Sequence, residues 1–449
     1  MKTIRTQVAV IGAGAGGMGC VFRLVKNGVK TVIVDRNPDF GGSAVFSGVD
    51  GWEPGCTLDG LHSLLRRELE QIDGGCHVVA QAPNCNIFTP ENGLNWDNHS
   101  FERYPWGLSV ASDYTYEDTL VFEKFRYRKR FQFEPWAMSL AMNRILAEYS
   151  DNLTSLFGYR YVGVSSNDGK ISSVTVTNGE EDVEIIADCF VDASGDIVLA
   201  RDAGCAFTSG SESKHEFDEP SAPEKRSESV NGASYVFRIG KSENHENIDT
   251  LPTQCANFDL GEWEIGNMRR VVSCFVEYPN GDINVNMLPT MQGREYLALG
   301  EMADEVGRAR VWKYWHYLQT ERGMKGYTLK HIFDAGIRES YRLRGKYVLR
   351  EQDLRRGYPD LQGLGITVAI ANHTMDIHGE NKMSTFLEKP YEVPIECTMT
   401  REYENLFVAC RGASFTHIAA SSVRLTRTLI SIGEGVGEYI AKHLCPSVK

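Results

Sequence analysis

Gly12, Gly14 and Gly17 form a Gly-x-Gly-x-x-Gly pattern immediately after the apolar run Val8-Ala9-Val10-Ile11. An apolar-periodic stretch from Met18 to Val25 follows, Gly28 stops it, and a second apolar run, Thr31-Val32-Ile33-Val34, ends in Asp35. These residue types suit the binding of a dinucleotide. The first glycine allows a tight turn, the second lets backbone approach a pyrophosphate, and the third lets a helix pack closely on a strand. A helix starting there would aim its free N–H groups and its dipole at the phosphates. Asp35 stands where an acid accepts from ribose hydroxyls. Arg36 and, after a short polar stretch, Gly41-Gly42-Ser43 follow directly. A double glycine beyond the second strand lets backbone run beside such a cofactor.

Two arginines form a second group able to act on a ligand. Residues 337–350 alternate as a strand that places Arg338 and Arg342 on one face, with Ser340 and Arg344. Paired guanidinium groups could clamp a carboxylate in bidentate fashion.

The elements that must position these residues follow the α/β pattern. Residues 7–35 read as strand, glycine turn, helix and strand, one βαβ unit. Asp59 to Leu69 reads as helix. Pro135, suited to a first helical turn, opens a helix to about Tyr149. Strands follow at Tyr159–Val164, Ile171–Thr177, Val183–Ala187 and Cys189–Val191, the last leading into Asp192-Ala193-Ser194-Gly195-Asp196. Residues 209–231 are charged and polar and read as a mobile excursion. Beyond them come strands at Ala233–Ile239, Val271–Tyr278 and Asp282–Met287, the last two joined through the hairpin pair Asn280-Gly281. A long helix is expected from Arg294 to about Thr320. After Pro394 the α/β pattern returns: a buried strand at Asn405–Ala409, a polar loop from Cys410 to Ala420, and a helix from Ser421 to His443.

Composition narrows the function classes. The 449 residues are 42% hydrophobic and 24% charged, as in an ordinary globular chain of two or three domains. A formal net charge of -13 works against binding phosphate backbones, so no nucleic-acid partner is expected. No apolar run reaches the roughly 18–20 residues of a membrane span, and the strand pattern begins too early for a secretory signal. A cytoplasmic enzyme without membrane partners is the expectation. The 11 cysteines are scattered, with no Cys-x-x-Cys pair, and read as reduced buried thiols. The lack of such a pair excludes disulfide-reductase chemistry. No metal-ligand pattern is present.

Four blocks occur together: the glycine loop with Asp35, the pair Gly41-Gly42, Val191 to Asp196, and Asn405 to Gly437. In this order they resemble the FAD-dependent oxidoreductases of the glutathione-reductase structural type. The likeness is to a bacterial branch carrying Arg338-Glu339-Ser340 with Arg342, Asp376-Ile377-His378, the strand end Asn405 to Arg411, Thr416-His417 and Ser422-Val423-Arg424. The resemblance implies a Rossmann-like FAD-binding domain over 1–85, 133–208 and 394–449, with an inserted α+β substrate or cap domain over 86–132 and 209–393. It implies cofactor contacts from Gly12, Gly14, Gly17, Asp35, Arg36, Gly41, Gly42, Ser43, Val162, Ala193, Ser194, Gly195, Arg411, Ser421 and Ser422. The C-terminal helix would point its N-terminus, near Ser421-Ser422, at the N1–O2 edge of the flavin, where reduced flavin is negatively charged. Two residues depart from the pattern: Cys410 replaces the usual glycine before Arg411, and Ser194 replaces a threonine.

On that resemblance, His417 in the loop before the flavin-facing helix is the expected acid/base, with His378 as its rival. Arg338, Arg342 or Arg424 would orient a small polar organic substrate that exchanges a hydride with flavin N5. The electron partner and oligomeric state are not indicated. A flavin monooxygenase or a non-catalytic flavin-binding sensor are the alternatives. A covalent flavin link needs a histidine shortly after the glycine pair, and Ser43-Ala44 offers none. Denaturation by heat or acid is therefore expected to release intact FAD into the supernatant; yellow colour retained by the precipitate would contradict this.

Overall fold

The computed structural model describes residues 2–52, 60–81, 87–88, 128–259, 272–357, 366–380 and 382–445. In chain order, β1 (Lys2–Ile11), α1 (Ala15–Lys26) and β2 (Thr31–Asp35) form the expected βαβ unit. Val8 to Ile11 are almost fully buried, as befits a strand covered on both faces of a parallel sheet. Arg23 and Lys26 lie in the last turn of α1, where cations complement the dipole, and Gly28 at φ +77° reverses the chain. Helix α2 (Leu61–Glu70) follows; the Asp59 end of the expected helix lies outside the described residues, as do the aromatic-rich stretch 89–127 and Val271. Pro135 is the first residue of α3 (Pro135–Ala147), as its missing N–H allows.

Next come β3 (Leu153–Phe157), β4 (Arg160–Asn167), β5 (Lys170–Thr177) and the long β6 (Asp182–Asp192), which merges two runs read separately from the sequence. The second half holds β7 (Val236–Lys241), β8 (Val272–Glu277), β9 (Ile283–Leu288), α4 (Ala303–Glu321) and β10 (Tyr327–Ile332). The long helix expected from Arg294 is broken: Gly293–Leu299 is a separate helix, and Gly300 at φ +54° turns the chain before α4. The chain closes with β11 (Leu406–Val408), α5 (His417–Val423) and α6 (Thr426–His443).

The main sheet runs β3-β2-β1-β6-β5-β4, with β11 also on β6. Strands β3, β2, β1, β6 and β11 are parallel, and β6-β5-β4 is an antiparallel meander. The topology is a Rossmann-like α/β fold built from both ends of the chain. A second, antiparallel sheet orders β10-β7-β9-β8 and ends on Ile87–Phe88. Each sheet has its own hydrophobic core. One gathers residues between Val8 and Ala222 with residues from Leu343 to Cys445; the other gathers Ala233 to Ile332 around Tyr235, Trp315 and Tyr314.

Helices α1 and α6 pack backbone against backbone. A methyl on Gly433 would collide with the Gly16 carbonyl, and one on Gly19 with the Ile430 carbonyl. Among the described residues no helix is long and apolar enough to cross a membrane. The eight described free cysteines are buried.

Gly433→Val is expected to destabilise the protein by roughly 1–3 kcal/mol through overpacking, read as a lower Tm in thermal unfolding. A parent-like Tm would mean that the two helices do not meet there.

Candidate functional site

The glycine loop is shaped by both halves of the main sheet. Gly12, at φ +108°, accepts no side chain because a Cβ would run into the Ala193 backbone, and one on Gly17 would meet the Gly12 carbonyl. Gly14 differs. An added Cβ there would find nothing nearer than the Gly42 Cα, at 3.8 Å. Protein packing therefore does not require glycine at position 14, and the space beside it is open to a ligand. Gly14 is the N-cap of α1 and has no side-chain cap, so the helix start is open to an anion. The second glycine loop sits beside it: Gly41 N–H donates to the Ala13 carbonyl at 3.0 Å, and a Cβ on Gly42 would lie 2.6 Å from Gly14 Cα. Ser43, exposed, begins the short helix Ser43–Phe46.

Asp35 accepts from Ala13 N–H at 2.6 Å and from Asn37 N–H at 2.8 Å, which fixes its carboxylate at the mouth of the turn. Arg36 beside it is exposed. Val162, 43% exposed, lies at a register shift between Tyr161 and Gly163.

Beyond the end of β6, Asp192 organises the next turn. It is fully buried and accepts from Ser194 N–H (3.0 Å), Ser194 Oγ (2.6 Å) and Ala200 N–H (2.9 Å). Burial raises its pKa although these donors favour the charged form. Ser194 Oγ in turn accepts from Val198 N–H at 3.0 Å, so the hydroxyl retained at this position closes the turn. Gly195, at φ +83°, leaves room for the Arg411 guanidinium, which a Cβ would strike; Arg411 pairs with Asp196 at 2.6 Å. Ala193, Ser194, Gly195 and Arg411 are thus brought beside Gly12.

The five candidate chemistry residues separate into two clusters. In the first, His417 is 2% exposed and its Nδ1 lies 2.8 Å from Glu339 Oε2. Burial, with Arg342 nearby, lowers its pKa to about 4, so the ring is neutral at pH 7 and donates Nδ1–H to the carboxylate. Its Nε2 is buried without a partner. Arg342 is wholly buried: its Nε donates to the Phe415 carbonyl, Nη1 to Glu339, and Nη2 to the Gly210 carbonyl and Glu212. Four of its five N–H donors are thus taken up inside the protein, away from solvent, which argues against the expected carboxylate clamp. The expected strand at 337–350 is reduced to Gly336–Ile337 and Arg342–Leu343 because the chain turns to deliver this network.

Residues 209–231 are a second correction. They form an ordered strap in which Glu212 and Glu219 are buried. Glu212 accepts from His417 N–H at 2.8 Å, and Glu219 accepts from Thr416 Oγ1 at 2.5 Å. Both carboxylates thus lie at the N-terminus of α5. Burial works against the charge of Glu212, but Arg342 holds its pKa below the ordinary value; burial pushes Glu219 up to about 7. The segment looked mobile because its charges had no visible partner in the sequence.

In the second cluster, His378 Nε2 lies 2.7 Å from Asp376 Oδ2, and Arg424 Nη2 lies 3.2 Å from the same oxygen. These side chains are between 14% and 23% exposed. Burial lowers the His378 pKa, against the pull of Asp376, and Arg338 opposes its charge from nearby; Arg338 itself donates to the Gly232 carbonyl and Ser234 Oγ. Burial disfavours the Asp376 charge, yet His378 and Arg424 hold its pKa well below the carboxylate range.

The C-terminal helix does not start at Ser421. Helix α5 begins at His417, and the chain breaks at Arg424-Leu425 before α6. Ser421 and Ser422 lie inside α5, with Ser421 Oγ donating to the Ile418 carbonyl and Ser422 Oγ 2.7 Å from Tyr391 OH. The N-terminus of α5 is filled by Thr416, Glu212 and Glu219. That of α6, after Leu425, has no side-chain cap, and Arg424 stands just before it. Glu212 and Glu219 were not singled out from the sequence, and Asp192 and Glu339 stood in motif blocks without a role of their own. The local signals were the place of Asp192 at a strand end before Ala193-Ser194-Gly195 and that of Glu339 between Arg338 and Ser340.

A family model described as FAD dependent oxidoreductase matches residues 7–445. A curated relative, the glutamate synthase [NADPH] small chain of Halomonas elongata, is 52% identical over 40 residues, which is 9% of this chain and 8% of that protein. Its Escherichia coli K12 counterpart is 46% identical over 46 residues, 10% of each. The chain thus spans about a tenth of the curated relatives it matches. Among solved structures, a geranylgeranyl bacteriochlorophyll reductase-like protein of Thermoplasma acidophilum aligns at 12% identity and TM-score 0.46, covering 98% of this chain and 78% of that one.

FAD is the cofactor, and the open space at Gly14 between two glycine loops fits its pyrophosphate. Gly14→Val is expected to leave a folded protein, because the added side chain meets little protein, but to abolish FAD retention. Stoichiometric FAD in the purified variant, measured by absorbance, would place the phosphates elsewhere.

Proposed function

Because the chain belongs to the FAD dependent oxidoreductase family, we propose that it exchanges a hydride between N5 of bound FAD and a small polar organic substrate, with His378 moving the proton. The observation that carries this is the contact of His378 and Arg424 with Asp376, immediately before the uncapped start of α6. When bound, FAD supplies the two-electron acceptor or donor. Gly12, Gly14, Gly41 and Gly42 would hold its pyrophosphate, and the first turn of α6 would favour negative charge on its ring.

His378 is the better proton carrier because it is reachable. His417 is sealed among Glu339, Arg342 and Glu212, whereas His378 is about one-fifth exposed. A carboxylate can only accept, so His378 Nε2 donates to Asp376 and Nδ1 keeps its lone pair. The lowered pKa keeps the ring neutral at pH 7, as a base requires. The positive charges of Arg338 and Arg424 beside it favour a substrate that is anionic or becomes so as a proton leaves.

His378→Asn is expected to keep its FAD spectrum and to lose roughly 10²–10⁴-fold in anaerobic flavin reduction by substrate. In the parent, activity should be full at neutral pH and fall on acidification, through a pKa below 6.5, as the imidazole takes up a proton. Loss of rate in His417→Asn with a parent rate in His378→Asn would transfer the role to the buried histidine.

A further inference from the structure

Asn231 closes the strap and is 1% exposed, and it touches both histidine clusters at once. Its backbone N–H donates to Glu339 Oε2 at 2.8 Å. Its side-chain Nδ2 donates to the Asp376 carbonyl at 3.1 Å, and its Oδ1 accepts from His378 N–H at 2.9 Å. These partners fix which way the amide faces, because a carbonyl only accepts and an N–H only donates. The strand Met375–Ile377 pairs along one edge with Met383–Thr385. The Asp376 carbonyl and His378 N–H flank Ile377, and a neighbouring strand would meet such a pair with a peptide N–H and carbonyl. The Asn231 amide takes that place. Side chains two apart on a strand project to one face, so the same grip sets His378 Nε2 beside Asp376 Oδ2, at 2.7 Å.

The residues after Asn231 serve the same site. Gly232 N–H donates to the His378 carbonyl at 2.8 Å, and a Cβ at 232 would lie 2.7 Å from Pro289 Cβ and 3.2 Å from that carbonyl oxygen. The Gly232 carbonyl and Ser234 Oγ accept from Arg338, a cation whose charge acts on His378. One short segment thus places the backbone of the histidine and a charge beside its ring. The anchor at the other end is firm: Glu339, 3% exposed, also takes Arg342 Nη1 and His417 Nδ1.

We propose that Asn231 is the positioning residue of the His378 site, its amide holding the Asp376–His378 backbone and its N–H tying that backbone, through Glu339, to the buried Arg342–His417 cluster. This rests on the reading of His378 as the proton carrier. Asn231 itself meets no reacting atom and acts through His378. Without the amide, the Asp376 carbonyl and His378 N–H must turn to water for partners. The imidazole then gains solvent and its place beside Asp376 is no longer fixed. The charged groups acting on its ring are Asp376 on its own strand, Arg338 from the turn before Arg342, and Arg424 at the end of α5; His373 acts on Asp376 in turn.

The test is a titration of the ring and needs no substrate. The FAD-loaded parent, Asn231→Ala and Asn231→Leu, the last close to asparagine in size, are prepared with isotope-labelled histidine, and the imidazole signals are followed by NMR on acidification. The signal missing from His378→Asn identifies the ring. In the parent it should titrate below 6.5; in both variants the midpoint should move up toward the ordinary histidine value, with FAD still bound. A lower Tm with the His378 titration unchanged would make Asn231 a structural residue only and overturn the proposal. If Asn231→Ala does not fold, Asn231→Leu decides, and a parent-like titration there overturns it equally. In the parent the His378 amide should exchange slowly with deuterium, and fast exchange overturns the proposal whatever the variants do. Failure of the catalytic reading would show differently, as a parent rate in His378→Asn, and would leave these titrations as they are.

Discussion

Gly16, Gly19 and Gly433 let two helices from opposite ends of the chain touch backbone to backbone, with no side chain between them. The rest of the site depends on that contact. A methyl on Gly19 or Gly433 would push α6 away from α1, and one on Gly16 would push α1 away from the Ala409 carbonyl just beyond β11. Close-packed interiors transmit such a shift rather than absorbing it. With the helices in contact, the start of α6, the glycine loop and the turn after β6 share one region, although their sequence positions lie hundreds of residues apart.

A second constraint is the burial of Arg342. A guanidinium removed from water is tolerable only when paired and hydrogen-bonded, and here two carboxylates and two carbonyls supply the partners. Its demands bring in Glu212 from the strap and Glu339 from its own turn. These carboxylates then orient His417 and terminate α5. A segment composed like a disordered loop is thereby pinned to the protein through the buried carboxylates of Glu212 and Glu219. The same network seals Arg342 and His417 in the interior, whereas the group around Asp376 stays partly exposed.

The two histidine–carboxylate pairs show how little residue type decides by itself. Each holds one ring nitrogen on a carboxylate and each is kept neutral by burial. They differ in access. His417 has a carboxylate on its side chain, another on its backbone N–H and a buried arginine behind it, whereas His378 has a pair of flanking cations and an opening.

The βαβ unit, the helix from Pro135, the meander through Thr177 and the parallel strand ending at Asp192 were legible in the sequence, because each follows from local periodicity and from glycine or proline at fixed positions. So was the glycine turn between β1 and α1, where backbone crowds Gly12 and Gly17 too closely for a side chain. The break at Arg424-Leu425, the second helix start at Thr426, the split at Gly300 and the burial of Glu212, Glu219 and Arg342 were decided by the tertiary structure. These depend on partners far away in the chain, and charge compensation leaves no periodic trace. A glutamate paired with a buried arginine and one facing water are the same letter in a sequence, and only the packed fold sets how much water each retains.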